Sequence, residues 1–532
     1  MAKKTPVRVL LLKQAADYDD VIDHPSSLHS KPFTAQNSKL FWKSNPVKSP
    51  TWVTSIFPGE TDLEAAIKAS SVSGALIVKV SDRMFAITFG HGKSLIKHEY
   101  IEPRFGLKVV LNEVDPDSLR SIDTKSLDGF LSHTREQVPS LSPLSSFGVD
   151  IEKDFVRAVT GTSVNAGIGK TITGADAFAS SLEITVTNAA TTLQKLLTAS
   201  SKDTYKTRFD FVDNISEASK ALSATLDDKL VECIVAGETQ NIWLAPPEIV
   251  DWEDHGGFSF TPRGKVHDDI GLKSYLAEKV PDIAALTIAK LRAHKLLHLN
   301  AELSYDKENW SIYKCLYAEI EDGTLRYILT DGKWFEVNKD YLLKVRTYLA
   351  QNLTEWNGPA FPDYDSSEMA LFDDKQHRGE TRYNDESFAG LGYSLMDQRM
   401  IAHGGGGSTI ELCDMYKDNL YIHIKRYTRS SGLSHLFNQG KVSAELIRND
   451  PEFRTKAIAK LQAEGISTNL STTRPDMSQV QVVFGIISAA HGELKLPFFS
   501  EVALKNAVHF LKTTLDVGTV SLIKIQAVND SD

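Results

Sequence analysis

The sequence predicts a multi-domain protein of mixed α+β and α/β class, whose C-terminal part is a mixed sheet flanked by helices. With 532 residues the chain exceeds one ordinary hydrophobic core, and 42% apolar with 24% charged residues is typical of globular proteins. Short apolar runs bounded by turn residues recur along the chain and predict strands and hairpins. Near the C-terminus a strand, a helix and another strand follow one another, which implies a parallel crossover in a covered sheet.

The first module is predicted to be an α+β unit over residues 1–140. Strands are expected at 7–13, 74–80 and 84–89, and the last two are joined as a hairpin across Ser81-Asp82-Arg83. Residues 140–146 are rich in Ser and Pro and mark the boundary, and the spacing from residue 150 onward is typical of helix.

The middle module, residues 141–356, is predicted to end in a three-stranded meander. Its strands, at 310–321, 324–330 and 333–337, are separated by two Asp-Gly dipeptides, which favour type I′ hairpins. A helix at 341–353 and a turn-rich loop at 357–367 follow it.

The third module is therefore expected to cover residues 357–532. Four consecutive glycines at 404–407 are interpreted as a flexible connection. The elements predicted after them are helices at 431–449 and 451–464, a strand at 479–488, a helix capped by Ser500 and a strand at 518–528.

Composition and charge exclude several classes of protein. The three cysteines are far apart and argue against a disulfide framework or a cysteine-rich zinc site, which favours a reducing cytoplasm. No apolar run is long enough for a membrane span. A net charge of -10 means that any binding of DNA must come from a local basic patch. Residues 415–441 supply one, with five cationic side chains against a single Asp.

Four other motifs have weak signals. Residues 161–171 end in Gly-Lys-Thr, yet Val164 replaces the first glycine of a phosphate loop, so a surface turn is favoured. Residues 89–93 (F-G-H-G-K) are read as a turn with a weak signal for anion contact. The aromatic residues of 243–260 are suited to stacking on unpaired bases, but packing in the core and in loops is favoured. His294 and His298 are spaced for one face of a predicted helix at 283–299, where a partly exposed pair is favoured over a metal site.

The stretch 411–425 carries the most chemical information. Two short apolar runs there end on Asp414 and on the pair His423-x-Lys425. Residues two apart on a strand share a face, so His423 and Lys425 are expected to project together beside Asp414. Alternation would put Glu411 on the opposite face unless a bulge or a strand end intervenes.

These residues resemble the core of the PD-(D/E)XK nucleases, whose fold is that of restriction endonucleases. The resemblance covers residues 375–528 and matches Asp414 to the metal-binding Asp, Lys425 to the Lys and Glu380 to the helix acid. It implies that Asp414 and Glu380 hold Mg²⁺ for phosphodiester hydrolysis. His423 stands where that superfamily has Glu or Asp, which weakens a site for a hard cation unless Glu411 compensates.

Across nearly its whole length the chain also resembles a sporadically distributed bacterial family associated with anti-phage defence. The resemblance lies in F-G-L-K-V-V-L-N at 105–112, T-G-A-D-A at 173–177, I-E-L-C-D at 410–414, and the H-I-K and S-H-L-F-N-Q-G motifs that follow. It implies an enzyme that acts on phage DNA, including base excision from modified DNA.

The leading expectation is a DNA glycosylase that flips out a base and leaves an abasic site without a cofactor. Such chemistry needs a carboxylate near the sugar and an acid for the leaving base. The expected catalytic residues are Asp414, His423, Lys425, Glu411 and Glu380. The expected DNA-binding residues are Lys417, Arg426, Arg429, Ser434, His435 and Gln439. The alternatives are a Mg²⁺-dependent endonuclease and a non-catalytic nucleic-acid-binding protein.

Overall fold

The computed structural model has a mixed α+β fold with several sheets. It describes residues 4–44, 46–126, 132–143, 146–147, 154–247, 255–262, 264–300, 305–367, 379–404, 409–427, 430–490 and 492–529. The chain folds into two compact units. The first comprises residues 4–126 and 132–213, and the second begins at Asn214.

The first unit is built on a ten-stranded sheet. Its strand order is β2-β3-β4-β5-β1-β10-β9-β8-β6-β7. The strands are β1 (Thr5–Leu12), β2 (His29–Phe33), β3 (Ser38–Ser44), β4 (Val72–Val80), β5 (Arg83–Gly90), β6 (Val114–Ser126), β7 (Ser132–Ser142), β8 (Asp154–Ser163), β9 (Thr171–Gly174) and β10 (Phe178–Leu182). The helices are α1 (Thr51–Ile56), α2 (Thr61–Ala66), α3 (Phe105–Glu113) and α4 (Ala189–Ser200).

Alternation along the strands gives this sheet two buried apolar faces. Val7 and Val9 of β1 belong to a core that includes the buried residues of α3 and α4. Leu10 and Leu12 belong to a second, smaller core with residues of 21–22 and 95–101. The helices therefore cover one face, and loop segments cover part of the other.

The second unit begins with two smaller sheets. The first has the order β11-β18-β17-β16-β12 and the second β13-β14-β15. The strands are β11 (Ile215–Glu217), β12 (Ile242–Leu244), β13 (His255–Ser259), β14 (Lys295–Asn300), β15 (Tyr305–Ser311), β16 (Leu316–Asp322), β17 (Leu325–Thr330) and β18 (Lys333–Val337). The helices are α5 (Lys220–Ala236), α6 (Leu272–Lys279), α7 (Ile288–Ala293), α8 (Ile312–Cys315) and α9 (Lys339–Asn352).

A six-stranded mixed sheet, ordered β19-β26-β25-β24-β23-β20, follows in the same unit. The strands of this region are β19 (Tyr364–Asp365), β20 (Ser394–Leu395), β21 (Ile401–Ala402), β22 (Thr409–Ile410), β23 (Met415–Lys417), β24 (Leu420–Arg426), β25 (Gln481–Ser488) and β26 (Thr519–Val528). The helices are α10 (Gly379–Leu391), α11 (Ser430–Asn449), α12 (Pro451–Ala463) and α13 (Phe498–His509). β24, β25 and β26 pair in parallel, which confirms the predicted crossover, while β23 and β24 form an antiparallel hairpin.

Several sequence predictions differ from the structure. The predicted helix at 283–299 is wrong, because α7 ends at Ala293 and β14 pairs with strands on both sides. His298 is a buried residue of β14 rather than an exposed partner of His294. The first meander strand is interrupted by α8, whose N-cap is the Ser311 hydroxyl. Helix-like spacing after residue 150 is also wrong, since 154–163 is strand β8.

Two further sequence predictions concern Ser500 and the run of four glycines. Ser500 is not a helix cap, because α13 begins two residues earlier, at Phe498, and Ser500 is buried inside the helix. Of the four-glycine run only Gly404 lies within the described residues. None of the described helices combines the length and the apolar character needed to cross a lipid bilayer.

Candidate active site

Backbone hydrogen bonds fix Asp414 at the entrance of the β23–β24 hairpin. Its N–H donates to the carbonyl of Ile422 (2.9 Å), and the N–H of Ile424 donates to Asp414 Oδ2 (2.6 Å). The N–H groups of Met396 and Asp397 both donate to the Asp414 carbonyl, at 2.7 and 2.9 Å. Asp414 therefore precedes its strand rather than ending one, and the segment carrying Asp397 lies against it.

Three carboxyl groups meet at this point. One oxygen each from Asp397, Glu411 and Asp414 lies within 4.8 Å of the others. Glu411 precedes β23, so strand alternation does not separate it from Asp414. Gln398 has a left-handed backbone conformation, φ 59°, which turns the chain so that its N–H donates to Glu411 Oε1.

A fourth carboxyl group, that of Glu380, comes from the first turn of α10. Lys425 Nζ donates to Glu380 Oε1 at 2.7 Å, and the N–H of Arg426 donates to Glu380 Oε2 at 2.8 Å. The side chains of Lys425 and Glu380 remain 28% and 21% exposed, so this ion pair is accessible to a ligand.

The cluster has more acidic groups than cations. Within the described residues, Lys425 pairs with Glu380, and no ion pair reaches Asp397, Glu411 or Asp414. Burial, with help from neighbouring carboxylates, raises the pKa of Asp397, the pKa of Glu411 to about 7 and the pKa of Asp414 well above its usual range. At neutral pH the three groups need protons or a bound cation.

Asn384 completes the inner wall of the site. It is 1% exposed, and its Nδ2 donates to Asp397 Oδ2 at 3.3 Å. The hydroxyl of Thr381 also bonds Asp397 and accepts a hydrogen bond from Gln398 Nε2 (3.0 Å). These neutral groups orient Asp397 without compensating its charge.

The structure does not bring His423 to the carboxylates. Its ring lies 6.1 Å from that of Phe484 and beside Gly440 of α11, and its Nε2 is a buried atom without a hydrogen-bond partner among the described residues. Burial alone lowers the pKa of His423 to about 4, and no carboxylate contributes. His423 is therefore a neutral core side chain in this arrangement.

The expected DNA-binding residues lie in different surroundings. Lys417 is exposed, with its Nζ 6.0 Å from the ring of Tyr393, and the Arg426 guanidinium lies 5.5 Å from the ring of Tyr364. On α11, His435 is exposed and Gln439 half-buried, while the Ser434 hydroxyl is buried and has no partner in the part of the chain that the structure describes. Arg429 lies outside the described residues.

The sequence interpretation does not select Asp397 or Asn384 as site residues. Asp397 ends a short run, Tyr393–Met396, of mainly apolar residues before a turn, and this is the pattern that identifies Asp414. Asn384 lies one helical turn after Glu380 on α10 and so shares its face. No local signal predicts that Asp397 meets Asp414, because hydrogen bonds between separate segments create that contact.

The donor set is compatible with two kinds of chemistry. Buried carboxyl groups that retain protons supply general acids at neutral pH. The same oxygens, deprotonated, form a donor set that a hard cation such as Mg²⁺ prefers.

Comparison with known proteins identifies a family but no characterised relative. A family model described as a family of unknown function (DUF6119) matches residues 7–526, nearly the whole chain. No curated protein and no solved structure matches the chain.

Proposed function

Because the chain belongs to DUF6119, a family of unknown function, we propose a function from its acidic site: a DNA glycosylase that excises a base and leaves an abasic site. The observation that supports this is that two carboxyl groups of the site lie in different surroundings. Lys425 holds Glu380 as an ion pair, while burial raises the pKa of Glu411 to about 7. Glycoside hydrolases pair one ionised and one protonated carboxyl group in a single site. Excision of a base likewise needs a carboxylate near the sugar and an acid for the leaving base.

In the proposed reaction Glu411 is the acid and Glu380 the base. As the bond between C1′ and the base breaks, Glu411 donates its proton to the leaving base. Glu380 stabilises the positive charge that develops on the sugar, then accepts a proton from the water whose oxygen bonds to C1′. Asp414, protonated and held by the N–H of Ile424, positions Glu411 rather than reacting.

The target base has to leave the helical stack to reach these groups. Flipping costs a few kcal/mol, which contacts to the flanking phosphates offset. Lys417 and Arg426 are the proposed phosphate contacts. Tyr416 and Tyr421 are buried, so they do not serve as a stacking surface for the flipped base.

A second candidate, a Mg²⁺-dependent PD-(D/E)XK-like endonuclease, is supported by a different observation. Because His423 replaces an acid of the nuclease motif, the site is expected to lack a carboxylate ligand. Asp397, Glu411 and Asp414 converge and supply carboxylate oxygens instead. These three residues would hold Mg²⁺, which would supply a polarised water for phosphodiester hydrolysis. Lys425 would orient the scissile phosphate and Glu380 the water.

The proposed biological setting is defence against phages whose DNA carries modified bases. The sequence resemblance to a defence-associated bacterial family is what supports it. Such phages should form fewer plaques on cells that express the wild-type protein than on cells that express Glu411→Gln. Equal plating on both would contradict the defence role.

One assay separates the candidates. Duplexes with modified or unmodified bases are incubated with the protein, with and without EDTA, and then treated with alkali. A glycosylase yields breaks that appear only after alkali and persist in EDTA. A nuclease yields direct, EDTA-sensitive nicks. Binding without either product supports the non-catalytic alternative.

Variants of the site are the controls for this assay. Glu411→Gln and Asp414→Asn should each lose the product while keeping the wild-type circular dichroism spectrum. Glu452→Gln removes an exposed carboxyl group of α12 and should keep full activity. Full activity in folded Glu411→Gln would show that Glu411 takes no part in the reaction.

A further inference from the structure

The first unit has an open groove across its ten-stranded sheet, separate from the acidic site. Its volume is about 570 Å³, and it crosses the adjacent strands β5, β1, β10 and β9. Most of its lining side chains are small or carry a hydroxyl group, and the larger apolar ones are Pro6, Val7 and Phe89. Thr88 and Ala179 lie opposite Arg8 in the two neighbouring strands, and Thr173 lies opposite Ala179.

Arg8 is the only charged side chain among the residues that line this groove. Alternation places it on the face opposite Val7 and Val9, which are buried in the core. The side chain of Arg8 is exposed and forms no hydrogen bond or ion pair within the described residues. A single unpaired guanidinium among hydroxyl-bearing and small side chains favours an anionic ligand.

Two glycine-rich motifs form the rim of the groove. Gly90, from the motif at 89–93, has φ +56°, and a Cβ there would lie 2.3 Å from the carbonyl oxygen of Val72. Gly169, just before Thr171 of the rim, has φ +104°, and a Cβ there would lie 2.0 Å from Ser180 Oγ. Both turns thus require glycine, and each is followed along the chain by an exposed lysine, Lys93 or Lys170.

We propose that this groove binds a backbone phosphate of DNA through Arg8, with Thr171 and Thr173 as hydroxyl donors. The choice of DNA rests on the proposed function. The arrangement fits a phosphate because a guanidinium donates two parallel hydrogen bonds to it and short hydroxyls add further donors. The groove reads no base, so it adds affinity that is independent of sequence.

The test is DNA binding by the full-length protein, measured as fluorescence anisotropy of a labelled duplex over a range of salt concentrations. It uses the Glu411→Gln background, which prevents turnover. Arg8→Ala should raise the Kd roughly tenfold, the size of one hydrogen bond to a charged group. The slope of log K against log salt should decrease by about 1. Arg8→Lys should restore the slope.

Arg120→Ala is the matched control, because Arg120 is exposed on β6 of the same sheet and does not line the groove. It should bind as the background protein does. An unchanged Kd and slope in folded Arg8→Ala would overturn the inference. The inference would also be overturned if Arg8→Ala lost the binding of a free nucleotide while its binding of DNA stayed intact.

Base excision is measured separately, with Glu411 restored. In that setting Arg8→Ala should raise KM and leave kcat unchanged. Arg8-dependent DNA binding without any base excision would support the groove and refute the proposed function. Base excision that is unchanged by Arg8→Ala would support the proposed function and refute the groove.

Discussion

Glu411 and Asp414 lie three residues apart, and both carboxyl groups enter the cluster because the chain is not in strand conformation between them. Period-two alternation would have separated them. The hydrogen bond from Gln398 to Glu411 and the one from Ile424 to Asp414 each favour the ionised form. Burial and mutual repulsion are stronger, so the pKa of both groups rises.

The raised pKa of Glu411 predicts a pH-dependent stability. An unfolded Glu titrates near ~4.3, and folded Glu411 titrates at about 7. Between these values the folded state holds the extra proton, so this stabilisation is complete below the unfolded pKa and is lost as pH rises through 7. Glu411→Gln should match the wild-type Tm at pH 4 and exceed it by a few degrees at pH 8.

Thermal unfolding in EDTA at pH 4, 6 and 8 tests this prediction. EDTA removes cations that would compensate the carboxylates. Glu452→Gln is the control, because Glu452 is exposed, and its Tm difference from wild type should not vary with pH. A difference between Glu411→Gln and wild type that is constant across this range would show that Glu411 is not protonated in the folded state.

Lys425 is predicted to hold the carboxylate of Glu380 in its reactive position. Lys425→Ala removes the ammonium 2.7 Å from Glu380 Oε1, so kcat for base release should fall about 10²-fold, as for loss of a general base.

The matched control is Lys456→Ala, which breaks an ion pair of the same length on the surface of α12. That variant should keep the wild-type kcat. If Lys425→Ala raises KM and leaves kcat unchanged, Lys425 contacts the substrate rather than positioning Glu380.

Within the site, sequence spacing predicts part of the arrangement and fails where packing decides. Glu380, Lys425, Glu411 and Asp414 are all expected from the sequence, and they lie together. His423 is expected beside Asp414 by alternation with Lys425, yet Lys425 is at the strand end, where its long side chain reaches Glu380. His423 lies further inside the strand, where its side chain packs against Phe484.

At the scale of elements, parallel pairing is easier to predict than the type of a short apolar segment. The strand runs at 479–488 and 518–528 are long, apolar and bounded by turns, and both are strands. Residues 295–300 read K-L-L-H-L-N, a pattern that fits a helix face as well as a strand. Hydrogen bonds to β13 and β15 decide between them.

The contact between α11 and the sheet depends on a glycine. A Cβ at Gly440 would lie 2.6 Å from Phe484 Cε1, and Phe484 cannot move because it is fully buried against Phe437. Gly440→Ala should therefore destabilise the protein by about 1–3 kcal/mol, although alanine normally favours a helix. Denaturant unfolding measures the change.

Gly432→Ala is the control in the same helix, because nothing lies within 4 Å of a Cβ there. It should be neutral or stabilise by up to about 1 kcal/mol. Equal effects of the two substitutions would contradict the packing argument.

At the scale of the whole molecule, a buried charge network explains why the meander belongs with the C-terminal sheet. Turn-rich stretches predict boundaries at both ends of the middle module, but the chain from Asn214 onward forms one compact unit. Arg326 of β17 is 1% exposed. It contacts Glu319 and Glu321 of β16 and also Glu501, which lies on α13. Glu319 Oε2 also accepts the N–H of Phe498, at 2.7 Å. Interactions between residues so distant in sequence leave no local signal.

The same network predicts how a single substitution spreads through the molecule. Arg326→Ala would leave the buried carboxylate of Glu319 without its cation, and breaking such a pair costs about 3–5 kcal/mol. Because Glu319 and Arg326 bond both the meander and α13, hydrogen exchange should accelerate in both regions. The described cores of the first unit are built from residues up to Val212, so exchange in that unit should stay unchanged. Arg135→Ala, which breaks an exposed pair with Asp123, is the control and should alter neither unit. Faster exchange confined to the meander would show that the network does not join it to α13, and faster exchange throughout the first unit would show that the two units unfold together.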